Sequence, residues 1–295
     1  MGLRLRPKAV LRCEAARTRC SGARSLPWKG APGRSQTHRP PLNNGEGYDL
    51  ASVLILGATS TIARALAAEF GRHRYDLTLA GRDREEMDAL AADLAIRYGV
   101  EARVRCFDAL AFETHQPDLE SWLSEEPDSI VGAVVCFGYL GDHAAAKTDF
   151  AEARRILDTN FTGCMSALNI IANHFERRRS GFICAVSSVA GDRGRQSNYL
   201  YGAAKAGLSV YLQGLRNRLF PSRVRVVTIK PGFVDTPMTF GRPGLFLVAS
   251  PEYVARSIFK AIQRGKDVAY IPWFWRPIMF TVRMIPEWLF KRPRL

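Results

Sequence analysis

Ser52-Val53-Leu54-Ile55-Leu56-Gly57-Ala58-Thr59-Ser60-Thr61-Ile62-Ala63 begins as an uncharged, apolar run, turns through small side chains and leads into a helical pattern from Arg64 to Phe70. A continuous apolar run marks a strand covered on both faces, as in a parallel sheet, because a strand with one wet face would alternate. Strand, small-residue turn and helix together make a phosphate cradle. The N–H groups of a helix N-terminus point at an anion, and small residues let it come close. Gly57, Thr59, Ser60, Thr61 and Ile62 are therefore expected to hold the phosphates of a nucleotide.

The same alternation repeats along the chain. Asp76 to Ala80 reads as a second strand, Glu85 to Tyr98 as a helix, and Ala102 to Phe107 as a third strand ending at Asp108. Pro117 to Leu123 reads as a helix, Ile130 to Gly138 as a fourth strand, and Phe150 to Arg178 as one long helix. Gly181 to Ser187, Val224 to Ile229 and Val268 to Ile271 are further strands, with a helix from Leu200 to Leu219. This order predicts an α/β fold, a Rossmann-type doubly wound parallel sheet in a single domain, with ligands outside the carboxyl ends of the strands. The Gly57 turn, Asp108, the Gly138 turn, Ser188 and Lys230-Pro231-Gly232 all fall on that edge. An acid closing the second strand would bind the ribose 2′-hydroxyl of NAD, whereas a base suits the 2′-phosphate of NADP. Ala80 followed by Gly81-Arg82 favours NADPH over NADH.

Ser187 to Lys205 carries the chemistry. Tyr201 and Lys205 are four apart in a stretch without Pro, so helical spacing stacks them on one face. An ammonium within about 4 to 6 Å favours phenolate, moving a group of intrinsic pKa about 10 toward working pH. Proton transfer needs that shift. Ser188, closing an apolar run, adds a hydroxyl.

The net charge of +14 sits at the ends of the chain. Residues 1–45 carry ten Lys or Arg against Glu14, and residues 276–295 carry five against Glu287, leaving 27 bases and 26 acids between them. The domain itself is nearly neutral, which speaks against a nucleic-acid footprint on the fold. Residues 1–48 form a basic extension without apolar periodicity, expected to be disordered. Its Arg-rich, acid-poor composition resembles an organelle transit peptide; a nucleic-acid arm and an extension that is untargeted or read from a mistakenly early start codon are the other readings, and the lack of an amphipathic pattern favours the last. The six cysteines show no paired spacing and the five histidines no metal-ligand spacing. A reducing compartment and no metal are expected.

Across residues 49–272 the chain resembles the short-chain dehydrogenase/reductase family. Asn160, Ser188, Tyr201 and Lys205 match that family's four catalytic residues in identity, order and spacing. The resemblance implies an enzyme with an NAD(P) cofactor: Tyr201 gives a proton, Ser188 holds the carbonyl oxygen, Lys205 lowers the Tyr201 pKa and binds the nicotinamide ribose, and Asn160 positions water in a relay toward Lys205. It also implies that Pro231, Gly232, Val234 and Thr236 lie beside the nicotinamide, Asp108 beside the adenine and Gly138 beside the cofactor. Departures are Thr61 and Ala63, where the family usually has Gly, and Val135-Cys136-Phe137-Gly138 in place of Asn-Asn-Ala-Gly. A narrower set of motifs, Phe137 to Asp142, Gly191-Asp192-Arg193, Tyr201 to Gly207 and Met284 to Arg292, is similar to the decaprenylphosphoryl-2-keto-erythro-pentose reductases. That likeness implies a lipid-linked keto-sugar substrate, a flavin-dependent oxidase as partner, and a homo-oligomer.

Residues 273–295 mix Trp, Phe and Arg, with Arg276 and Arg283 interrupting the apolar residues. No run of about 18 uncharged residues exists, so the segment should not span a bilayer. It suits either a membrane interface or a lid on the domain. A cytoplasmic protein, peripheral on a membrane in the first case, is expected. Reduction of a soluble carbonyl such as a 3-oxoacyl thioester, steroid or retinoid, and a non-catalytic nucleotide sensor, are the rival readings.

Overall fold

The computed structural model describes residues 51–125, 129–241 and 246–292; the basic extension expected over 1–48 lies outside them. Seven parallel strands form one sheet in the order β3-β2-β1-β4-β5-β6-β7. They are β1 (Ser52–Leu56), β2 (Asp76–Gly81), β3 (Ala102–Cys106), β4 (Ile130–Val135), β5 (Phe182–Val186), β6 (Arg225–Pro231) and β7 (Val268–Ile271). The connecting helices are α1 (Thr61–Arg72), α2 (Arg84–Tyr98), α3 (Phe112–Glu125), α4 (Phe150–Leu157), α5 (Gly163–Arg178), α6 (Tyr199–Leu219) and α7 (Pro251–Gln263). Two more, α8 (Trp275–Met284) and α9 (Glu287–Phe290), follow the sheet.

Every residue of β1 is buried. Period-two geometry sends Val53 and Ile55 into the layer that holds α1, α2 and α7, and Leu54 and Leu56 into the layer of α3, α5 and α6. That double coverage is why the strand has no polar alternation. Strand order reverses between β1 and β4, so the crevice of a doubly wound sheet opens at their carboxyl ends.

Two of the expected helices differ in the structure, and α7 is not among the expected elements. α3 starts at Phe112, and Pro117 lies inside it rather than at its start. Its first turn is anchored by His115, fully buried, whose Nε2 donates to the Asp108 carbonyl at 2.8 Å while Nδ1 lies 2.9 Å from Ser166 Oγ. A carbonyl can only accept, which fixes the proton on Nε2. The long helix expected over Phe150 to Arg178 is α4 and α5 separated by a π-helical turn, Asp158–Thr162. Such wide turns concentrate at functional sites, and Asn160 sits in the middle of this one.

Candidate active site

At the switch point, Gly57 has a φ of 81° and its missing side chain faces Phe137. A Cβ there would lie 2.6 Å from Phe137 N, so the β1 and β4 turns touch main chain to main chain. Ser60 caps α1: its Oγ accepts from Ala63 N at 3.3 Å and donates to the Cys136 carbonyl at 3.3 Å. The N–H groups of Thr61 and Ile62 open the helix without intrahelical partners, at the edge where an anion would sit. Thr61 and Ile62 are half-buried, and Ala63 is fully buried, so its methyl group packs in the core. Thr59 is half-buried in the same turn.

Arg82, exposed just past β2, makes no hydrogen bond or ion pair among the described residues, whereas its neighbour Asp83 caps α2 by accepting from Glu86 N at 3.0 Å. Asp108 is half-buried beyond β3, its Oδ1 accepting from Leu110 N at 3.1 Å.

On the other side of the crevice, Lys205 is 2% exposed. Its ammonium donates to the Val186 carbonyl at 3.0 Å and lies 5.8 Å from the centroid of the Tyr201 ring, so helical spacing places the pair together. No carboxylate pairs with it among the described residues, and a lysine is almost never fully buried unless paired. Ser188, two residues past Val186, accepts at Oγ from Ala190 N at 3.1 Å. Ser187, which motif spacing did not single out, ties the end of β5 to α6: its buried hydroxyl donates to the Lys205 carbonyl at 2.9 Å and meets Ser209 Oγ at 2.8 Å.

Asn160 is fully buried and clamps the turn after β4. Its Oδ1 accepts from Tyr139 N at 3.2 Å, and its Nδ2 donates to the carbonyls of Tyr139 and Ile156, the latter at 2.9 Å. Asn160 and Lys205 converge on exposed Gly138, where a Cβ would lie 3.0 Å from Asn160 Oδ1 and 3.5 Å from Lys205 Nζ.

The β6 turn is shaped from behind. A Cβ on Gly232 would lie 1.9 Å from Trp275 Nε1, and Trp275 is 2% exposed in a cluster with Val189, Met279 and Phe233. Pro231 is buried before it. Beyond it, Val234 bridges to Ala249 and its carbonyl accepts from Thr239 Oγ1, which in turn accepts from Thr236 N at 3.2 Å. Lys230, Asp192 and Tyr270 form a second polar cluster missed by motif spacing. The Asp192 carboxylate, 2% exposed, accepts from Lys230 Nζ and, at 2.8 Å, from the Tyr270 hydroxyl. Burial, and then this bond to Asp192, raise the Tyr270 pKa, which keeps its hydroxyl a donor. The cluster joins the Ser188 loop to β6 and β7.

Burial pushes the thiols of Cys136 and Cys164 up to about 12 and about 11, so both are inert core groups. Among the described residues no cluster of His, Cys, Asp and Glu could hold a metal ion, and no helix is long and apolar enough to cross a membrane.

A switch-point crevice with a free helix N-terminus on one wall and Ser, Tyr and a buried Lys on the other is the arrangement of a dinucleotide-dependent oxidoreductase. The sequence matches the short chain dehydrogenase family over residues 51–242. The chain belongs to that family and is an NAD(P)-dependent short-chain oxidoreductase. An uncharacterized oxidoreductase of Mycobacterium tuberculosis is 36% identical over 242 residues, 82% of this chain and 96% of that protein. One from Streptomyces coelicolor is 34% identical over 242 residues, covering 82% and 95%. The short-chain dehydrogenase from Sphingobium yanoikuyae in complex with NADPH has a similar structure, with a TM-score of 0.68 at 25% identity over 81% of this chain and 97% of that one.

Proposed function

We propose that this protein reduces a carbonyl to an alcohol with NADPH, and that Asn160, Ser188, Tyr201 and Lys205 carry the reaction. The buried Lys205 ammonium carries the reading: among the described residues it has one carbonyl acceptor, no carboxylate, and Tyr201 beside it. The desolvation that this position costs is unexplained by packing and is explained by chemistry. NADPH, when bound, supplies the hydride. Tyr201 gives its proton to the carbonyl oxygen as charge develops there, and Ser188 Oγ donates a hydrogen bond to the same atom. Lys205 supplies positive charge toward the phenol and has ammonium protons left for a ribose hydroxyl. Asn160 holds the Tyr139 turn open and presents Oδ1 to water on the Lys205 side.

The residues fit the dinucleotide. Gly57, Thr59, Ser60, Thr61 and Ile62 offer the phosphate cradle, Asp108 and Gly138 line the crevice, and Pro231, Gly232, Val234 and Thr236 form its far turn. Arg82 selects NADPH, because a guanidinium that pairs with no carboxylate among the described residues is available to a 2′-phosphate. Arg82→Ala is expected to weaken NADPH binding by about tenfold while leaving NADH unchanged, in line with roughly 1.5 kcal/mol for a hydrogen bond to a charged group. Fluorescence titration with both cofactors checks this; equal losses for the two would remove Arg82 from the site.

The substrate we favour is apolar or lipid-linked. Met238, Phe240, Phe246, Leu247 and Val248, between the β6 turn and α7, are all exposed on the ligand edge. The keto-sugar on a polyprenyl phosphate, supplied by a flavin-dependent oxidase to a homo-oligomeric reductase, rests on the motif resemblance alone. The test is NADPH oxidation at 340 nm with a panel of short soluble ketones, 3-oxoacyl thioesters and a membrane-lipid extract oxidised at its sugar alcohols. Turnover confined to the lipid fraction supports the reading; turnover of the soluble ketones alone replaces it with the soluble-carbonyl alternative.

A further inference from the structure

We infer that the outer face of α8, together with the basic notch beside it, is a docking surface for an anionic lipid bilayer. α8 is amphipathic in an unusual sense. Its inner face, Trp275, Ile278, Met279 and Val282, packs on the domain. Its outer face is also apolar at its crest, with Phe280 67% and Met284 68% exposed, and is flanked by exposed Arg276 and Arg283. A surface helix normally turns polar side chains outward, so this crest lacks a partner. Trp273 before the helix and Trp288 in α9 extend it, exposed at 73% and 58%.

The charges around the crest choose the partner. Trp273 also lines a notch of about 150 Å³ with Tyr253, Ser257, Lys260, Arg264 and Lys266, so the notch and the crest are continuous. No carboxylate lines that notch among the described residues, and its three cations form no ion pairs there. Arg292 lies 5.3 Å from the Trp288 ring. Two nearby acids are already paired, Glu287 with Arg193 at 2.6 Å and Asp267 with Arg216 at 3.3 Å. Exposed Trp and Phe among unneutralised Arg and Lys are what an interface with anionic headgroups selects, aromatic rings entering the headgroup layer while cations meet the phosphates. Three contacts through Arg193, its ion pair to Glu287, its hydrogen bond to the Arg283 carbonyl at 3.3 Å and its guanidinium 4.4 Å from the Phe290 ring, hold this surface against the Ser188 loop. A lipid-bound protein would thus carry its carbonyl site at the bilayer.

The test is flotation of the full chain with vesicles of phosphatidylcholine, alone or with about one-third phosphatidylglycerol, without cofactor or carbonyl. Wild type is expected to bind the anionic vesicles about tenfold or more tightly than the neutral ones. Phe280→Asp/Trp288→Asp and Lys260→Glu/Arg264→Glu are each expected to lose about tenfold on the anionic vesicles, with circular dichroism and melting unchanged because all four positions are exposed. Binding that survives both pairs of substitutions would assign it to the basic residues of 1–48 and overturn the proposal, as would no binding at all. Loss of self-association in the variants with unchanged vesicle binding would make the face a contact between copies, and equally overturns it. Because no turnover is read, either outcome leaves the reductase reading standing, and a failed reductase assay leaves this one standing.

Discussion

Tyr201→Phe is expected to bind NADPH as wild type does and to lose roughly 10² to 10⁴-fold in kcat, the range that a positioned general acid supplies. The substitution removes one oxygen from a half-buried ring and leaves the Lys205 bond to the Val186 carbonyl, the Ser187 bonds to α6 and the Ser188 cap in place. The effect should therefore fall on the chemical step and not on folding or cofactor affinity. Turnover measured at 340 nm, alongside NADPH affinity from fluorescence, separates the two. Near-normal kcat would sink the assignment of Tyr201, whatever the affinity shows.

The largest expected effect on stability is Asp192→Ala. The substitution strands the Lys230 ammonium, whose side chain is 13% exposed, and deletes the acceptor of the Tyr270 hydroxyl. Removing one partner of a buried pair costs about 3 to 5 kcal/mol, because the remaining charge stays desolvated and unpaired. Urea unfolding monitored by circular dichroism reads this as a lower midpoint at unchanged slope. Asp192→Asn/Lys230→Met, which removes both charges together, should recover much of the loss. A destabilisation of Asp192→Ala below about 1 kcal/mol, the size of an ordinary exposed pair, would show that water reaches the cluster freely.

The fold was legible because parallel strands leave a strong trace: Val53 to Leu56 and Ile130 to Val135 read as unbroken apolar runs, and each is followed by a turn on the ligand edge. Tyr201 and Lys205 were legible from helical spacing, and their proximity in α6 follows from it. The π-turn at Asp158–Thr162 was not, because the residues around Asn160 keep helical φ and ψ at both ends and only the width of the turn changes. Pro117 misled by its usual place at a helix start, whereas His115, anchored at both ring nitrogens, holds the helix earlier. α7, absent from the expected elements, carries both signals of a helix, Ser250 accepting from Tyr253 N ahead of Pro251 and an apolar face of Val254, Ala255, Ile258, Phe259 and Ile262 at helical spacing. The Lys230–Asp192–Tyr270 cluster joins residues far apart in the chain, and no local pattern reveals a pairing made across three strand ends.

Trp275 gives the β6 turn an optical handle. Its indole is sealed from water with an unpartnered N–H and lies where any Gly232 side chain would stand. Trp273 and Trp288 lie in solvent on the outer surface. Trp122, buried in α3, shares the short-wavelength side, so in a Trp28→Phe/Trp122→Phe background that emission should respond to what fills the turn, and emission on the long-wavelength side to what covers the outer face. One titration, resolved by wavelength, can follow the two events in the same sample without a label.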